Sequence, residues 1–102
     1  MYGRDISAGA FTPQANSGGT PATSTTVPAS IGPFGPAGAP ATKVRLMAST
    51  STFVSVGAAP TAAATDACLA PNFPEVILVP AGQKISYLAQ TTAGTLNWSV
   101  LQ

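Results

Sequence analysis

The chain has 102 residues and a net charge of +1, and only 7% of its residues are charged, against about 25% in typical proteins. It has no histidine, one cysteine and three carboxylates, which excludes a Ser-His-Asp or Cys-His site, an intrachain disulfide and a structural zinc site. Four basic residues are too few for the clustered Lys and Arg that phosphate backbones require, so we expect no nucleic acid partner.

Composition divides the chain at residue 42. Residues 1–42 carry six of the ten prolines and seven of the ten glycines, but only two charged residues, Arg4 and Asp5. Gly and Pro interrupt regular structure, and the apolar residues of this part follow neither strand nor helix period. We therefore predict an extended arm over residues 1–42, rich in Gly, Pro, Ala, Ser and Thr, and a folded module over residues 43–102.

The arm has two interpretations, a flexible tail or a segment that orders on a neighbouring molecule. In the second case, isolated apolar side chains would anchor it. The candidate anchors that bind a partner are Phe11, Val27, Ile31 and Phe34.

Glycine occupies every third position from residue 32 to residue 38, which gives three Gly-X-Y triplets of the collagen type. Three triplets are too few to hold a triple helix, so an extended polyproline linker is the favoured interpretation. The pattern nevertheless favours a trimer over a dimer.

From residue 43 onward, short apolar or alternating runs are separated by turn residues every eight to twelve positions, which is typical of an antiparallel sandwich or barrel. The expected strands span residues 43–48, 53–56, 68–69, 75–79, 84–90 and 95–101. The sequence therefore predicts an all-β chain, with a small antiparallel β-sandwich or jelly-roll-like barrel and a long extended N-terminal arm. Strand order is not visible at this level.

The last two strands form the clearest predicted hairpin, with a turn at residues 91–94. Ile85 and Tyr87 should face Leu96 and Trp98 across it. Because Trp98 shares a strand face with Leu96, we interpret it as a core residue and not as part of an aromatic platform for sugars.

The remaining reactive side chains give weak signals. Cys68 has no base or cation beside it in the sequence, so we predict a small buried hydrophobe. Asp66 and Glu75 are disfavoured as a catalytic carboxylate pair, because acidic residues in a loop and at a strand start are usually solvated. We expect no cofactor and no metal, and we predict that the chain is not an enzyme.

A module of about 60 residues buries a small core and is marginally stable alone. Without a disulfide or a metal, association is the remaining source of stability. We therefore expect a homotrimer, with a dimer as the alternative.

No apolar run approaches 18 residues, and the N-terminus does not resemble a signal peptide. We therefore expect no membrane association. The lone cysteine fits synthesis in a reducing compartment.

Five segments of the module form an ordered series: VRLMAST at 44–50, FVSVGAAPTA at 53–62, PE at 74–75, VPAGQKI at 79–85 and AGTLN at 93–97. This series resembles small virion proteins encoded in the structural gene clusters of tailed bacteriophages. It covers residues 44–101, without the loop at residues 66–68. The resemblance implies a β-rich particle component with no catalytic residues. Capsid decoration or cement proteins of this kind are typically small and oligomeric, and often extend arms over neighbouring capsid subunits.

We therefore predict a structural virion protein that decorates and stabilises a phage capsid. It would be made in the host cytoplasm and lie on the capsid surface, with further copies of itself and the major capsid protein as partners. The alternative is a head-fibre, connector or tail accessory protein with a receptor- or glycan-binding role. Deletion of residues 1–42 should leave a folded module that no longer protects capsids against heat.

Overall fold

The computed structural model describes the backbone of residues 13–35 and 38–101, and side chains within these ranges from residue 18 onward. The described residues form eight β-strands and no helix. The strands are β1 Pro13–Gly19, β2 Ala29–Phe34, β3 Thr42–Ala48, β4 Thr52–Gly57, β5 Ala67–Leu69, β6 Glu75–Val79, β7 Gln83–Ala89 and β8 Leu96–Leu101.

The strands form two four-stranded antiparallel sheets. The first sheet has the order β1-β8-β3-β6 and the second has the order β2-β7-β4-β5. The strand pairs are nested in sequence: β1 pairs with β8, β2 with β7, β3 with β6 and β4 with β5. The chain therefore follows the path of one long hairpin, and its successive strand pairs lie alternately in the first and the second sheet. This is the strand order of a jelly roll. The all-β prediction is confirmed, and the strand order selects the jelly roll.

The core lies between the two sheets because alternate residues of the central strands are apolar. In β3, Val44, Leu46 and Ala48 are buried, whereas Lys43 and Arg45 lie on the half-exposed outer face. Burial of one large aliphatic side chain contributes about 1.5–3 kcal/mol. The alternation read from the sequence therefore sets which face of the first sheet packs against the second.

The described part of residues 1–42 differs from the predicted extended arm. β1 pairs with β8 and β2 pairs with β7, so each strand forms one edge of a sheet. Phe34 is only 6% exposed, and its ring makes an edge-to-face contact with Trp98 at a centroid distance of 5.6 Å. Edge strands tolerate Gly and Pro because one side of the strand has no pairing to lose. The described residues of this part therefore form edge strands of the sandwich.

The first glycine of the triplets lies in β2, and the other two follow that strand. Gly32, Gly35 and Gly38 have φ angles of 114°, 75° and 83°. Residues with a Cβ rarely adopt these angles, whereas glycine adopts them readily. The spacing of the glycines therefore has an explanation within one chain.

The predicted hairpin of the last two strands is wrong, because β7 and β8 lie in different sheets. The segment between them passes from one sheet to the other. Two hydrogen bonds join this segment to Thr23: the Gly94 amide donates to Thr23 Oγ1 at 2.8 Å, and the Thr23 amide donates to the Gly94 carbonyl at 2.8 Å. Ile85 and Leu96 belong to the same buried cluster. Apolar and polar residues alternate in the same way in two strands that pair side by side and in two strands that face each other across a core. The sequence pattern therefore did not distinguish a hairpin from this arrangement.

The connection between β4 and β5 covers part of the outer face of the second sheet. Ser86 lies on the outer side of β7, yet both Ser86 and Ala62 are buried. The Ala62 amide donates a hydrogen bond to Ser86 Oγ at 2.9 Å. This bond fastens the connection to the sheet.

We expect Ser86→Ala to lower the free energy of unfolding by about 1–3 kcal/mol, because the buried Ala62 amide would lose its acceptor. Urea denaturation measures the change. Ser30→Ala is the matched control, since Ser30 lies directly opposite Ser86 on β2 but is exposed. Equal losses in the two variants would contradict this role for Ser86.

Burial of Tyr87 makes the free energy of unfolding depend on pH in the alkaline range. Burial on the inner side of β7 raises the pKa of the Tyr87 phenol above its ordinary value of 10.0. The folded state favours the protonated phenol. The contribution of the phenol to the unfolding free energy is therefore complete below about pH 10 and is lost as the pH rises through the raised pKa. We expect the unfolding free energy to fall less steeply above about pH 10 in Tyr87→Phe than in the natural chain. Parallel slopes in urea denaturation at increasing pH would contradict this.

Candidate functional site

Cys68 is exposed, which corrects the prediction of a buried residue. In the short edge strand β5, Leu69 is buried and Cys68 lies on the opposite side. The Cys68 Sγ lies 3.7 Å from the Leu69 carbonyl oxygen and 3.9 Å from Gln90 Oε1. A strand of three residues is too short for its sequence pattern to show which side faces the core.

The acidic side chains have separate surroundings. The Ala63 amide donates to Asp66 Oδ2 at 2.8 Å, and the Asp66 amide donates to the Ala63 carbonyl at 3.0 Å. These two bonds close a turn before β5, so Asp66 organises the loop. Glu75 is exposed at the start of β6. The part of the chain that the structure describes contains no group of three or more His, Cys, Asp or Glu side chains arranged to hold a metal.

The candidate anchors occupy different environments. Val27 is 66% exposed in the connection between β1 and β2, where Ser24 Oγ accepts hydrogen bonds from the amides of Thr26 and Val27, both at 3.1 Å. Ile31 packs against the core and Phe34 lies within it. Phe11 lies outside the described residues. Of the anchors with described side chains, Val27 is therefore the one whose exposure suits contact with a partner.

Exposed apolar side chains are concentrated at β6, the end strand of the first sheet. Phe73 is 59% exposed, Val76 43% and Leu78 62%; we call these three residues the edge patch. Among the described residues, β6 pairs with β3 alone. The free side of this strand and the edge patch together form the candidate interaction surface.

The outer face beside the edge patch is polar. Leu78 lies opposite Lys43, and Val76 lies opposite Arg45. The Arg45 guanidinium donates to Asn97 Oδ1 at 3.5 Å, and Asn97 Nδ2 donates to Thr20 Oγ1 at 3.0 Å. The outer face of the first sheet therefore changes from a polar centre to an apolar edge.

The sequence predicted the β6 strand but not its exposure. Residues 76–79 are all apolar, a pattern that is typical of a strand buried on both faces. Pro74 and Pro80 flank the strand, and prolines beside a strand are the available signal for a sheet edge.

The aromatic rings of Trp98, Tyr87 and Phe53 do not form an exposed platform for sugars. Tyr87 and Phe53 are buried, and Trp98 packs against the core. The prediction that Trp98 is a core residue is confirmed. These rings contribute to the stability of the sandwich.

Comparisons with protein-family models, with curated proteins and with solved structures found no match to this chain. The assignment of the jelly roll therefore rests on the strand order and pairing described above. None of the described segments forms an apolar helix of membrane-spanning length.

Proposed function

We propose that the chain is a structural virion protein that decorates and stabilises a phage capsid. The observation that carries this proposal is the open apolar edge at β6, where Phe73, Val76 and Leu78 are exposed. Monomeric proteins usually protect sheet edges with charges, bulges or covering segments, and exposed apolar patches rimmed by polar groups mark interaction sites. A chain with this surface is suited to assembly.

Two further features support a phage particle as the location. Jelly rolls recur in viral capsid proteins. The ordered segments of residues 44–101 resemble small virion proteins of tailed phages, as described above. The proposed partners are further copies of this chain and the major capsid protein, on the capsid surface.

Stabilisation would come from many linked contacts. A small jelly roll offers limited area for each contact, so each contact alone is weak. When copies bind both the shell and one another, each further contact forms at a high effective concentration, and the combined affinity exceeds that of any single contact. The low charge of the chain suits such a role, because surface buried in an assembly needs little charge for solubility.

The proposal is tested with capsids that lack this protein, prepared from a phage whose genome encodes it. We expect addition of the purified chain to raise the temperature at which these capsids melt, as followed by calorimetry. Chain that has been irreversibly unfolded is the control and should leave the melting temperature unchanged. No shift with folded chain, together with few copies per particle, would favour the head-fibre, connector or tail accessory instead.

A further inference from the structure

We propose that β6 pairs antiparallel with β6 of a second copy, about a two-fold axis at Ile77. The inference deepens the assembly part of the proposed function, and it names the surface and the partner. The pairing would join the two first sheets into one continuous sheet of eight strands, with β6 and the partner's β6 at its centre.

The backbone of β6 is suited to this pairing. Alternate residues of an edge strand direct their N–H and C=O groups away from the sheet, which is a template for a further strand. β6 pairs with β3 over five consecutive residues without a bulge, so its free side is regular. Pro74 and Pro80 bound the strand and lack N–H donors, which confines the pairing to Glu75–Val79.

The side chains of β6 are self-complementary in this register. A two-fold axis at Ile77 places Val76 opposite the partner's Leu78, and Leu78 opposite the partner's Val76. Both side chains lie on the outer face and are exposed in the single chain. A two-fold interface requires one patch that matches itself, and this register pairs an apolar residue with an apolar residue at both positions.

The charges favour the antiparallel arrangement. It separates the two Glu75 residues by four positions, or about 13 Å along the strands at about 3.3 Å per residue. The like charges are therefore kept apart in this arrangement. Parallel pairing in register would instead place the two carboxylates on neighbouring strands, about 4.8 Å apart, where like charges are destabilising.

The size of the surface predicts a weak dimer. A standard interface takes about 800 Å² from each partner, out of 5388 Å² for this chain. Five paired residues and three apolar side chains form a small interface by that standard. We therefore expect the dimer to dissociate on dilution.

Sedimentation equilibrium of the full chain, over a range of concentrations, tests the surface. We expect a monomer–dimer equilibrium, and Leu78→Lys should raise its dissociation constant by at least about 30-fold, as for a central interface residue. Ser30→Lys is the control, because Ser30 is exposed on β2, which is an edge strand of the other sheet. It should leave the dimer unchanged, and circular dichroism should show that both variants are folded.

Three results would overturn the proposal: a natural chain that is monomeric at every concentration, a Leu78→Lys variant with the same mass as the natural chain, or an equal loss of dimer in Ser30→Lys. A trimer that persists in Leu78→Lys would also overturn the proposal, because the mass of the variant would be unchanged.

Disulfide cross-linking tests the register. In a Cys68→Ser background, Val76→Cys and Leu78→Cys chains are mixed and oxidised. Directly opposite residues have Cα atoms about 4.5–5.5 Å apart, within disulfide range, whereas diagonal positions are about 7–8 Å apart and outside it. The mixture should therefore cross-link faster than either variant alone. Faster cross-linking of one variant with itself would overturn the two-fold axis at Ile77.

The inference and the proposed function fail in different ways. A dimer through β6 that leaves capsid melting unchanged supports the inference and contradicts the function. Capsid stabilisation by the natural chain without any dimer in solution or cross-link at β6 supports the function and overturns the inference.

Discussion

Deletion of residues 1–34 is expected to abolish cooperative folding. The deletion removes β1 from the first sheet and β2 from the second, and it removes Phe34 from the core. Loss of a buried Phe side chain alone costs about 3–5 kcal/mol, and the whole stability of a typical domain is about 5–15 kcal/mol. The truncated chain should lack a sigmoidal melting transition in circular dichroism.

Two point variants measure the contribution of this part of the chain to the free energy of unfolding. Phe34→Ala should lower the unfolding free energy by about 3–5 kcal/mol, since it empties a buried site and removes the contact with Trp98. Val27→Ala, at an exposed position outside both strands, should change it by less than about 0.5 kcal/mol. A truncated chain that melts within a few degrees of the full chain would show that residues 1–34 are an accessory arm.

Leu46→Ala is expected to have the second large effect, a loss of about 2–5 kcal/mol. Leu46 is fully buried on β3, which pairs with β6 on one side and β8 on the other. The surrounding side chains are held by two sheets and have little freedom to fill the cavity. For a domain of this length, each kcal/mol shifts the melting temperature by about 4–8 °C, so a thermal melt measures the change directly.

Met47→Ala is the matched control, because Met47 follows Leu46 on the same strand but lies on the half-exposed outer face. Its expected loss is below about 1 kcal/mol. Similar losses at both positions would contradict the assignment of the inner and outer faces of β3.

The strands after residue 42 could be predicted from the sequence because their patterns are local. The predicted strand at residues 75–79 has the same bounds as β6, and the prediction for 43–48 differs from β3 by one residue. Val44, Leu46 and Ala48 alternate with polar or flexible side chains, and this period of two follows from the geometry of one strand.

β1 and β2 could not be predicted because their composition reflects contacts that are distant in sequence. A Cβ on Gly18 would lie 2.6 Å from the backbone carbonyl oxygen of Trp98, so the pairing of β1 with β8 requires glycine at that position. Glycine in a sequence indicates flexibility or close backbone approach. Only the tertiary structure distinguishes these two causes.

The edge patch was missed for a related reason. The run of four apolar residues at 76–79 predicts a strand, but its place at the centre or the edge of a sheet depends on which strands pair with it. β6 is an end strand because the chain turns back from β5 into the first sheet and pairs with β3 alone among the described strands. Exposure of Val76 and Leu78 follows from that topology and not from their identity.

The copy number in purified particles tests the proposed function most directly. Quantitative mass spectrometry of phage particles from the source of this sequence measures copies of the chain relative to the major capsid protein. A decoration protein is expected to approach the abundance of the major capsid protein, in a simple ratio set by the shell. A chain that is absent from purified particles would contradict the account.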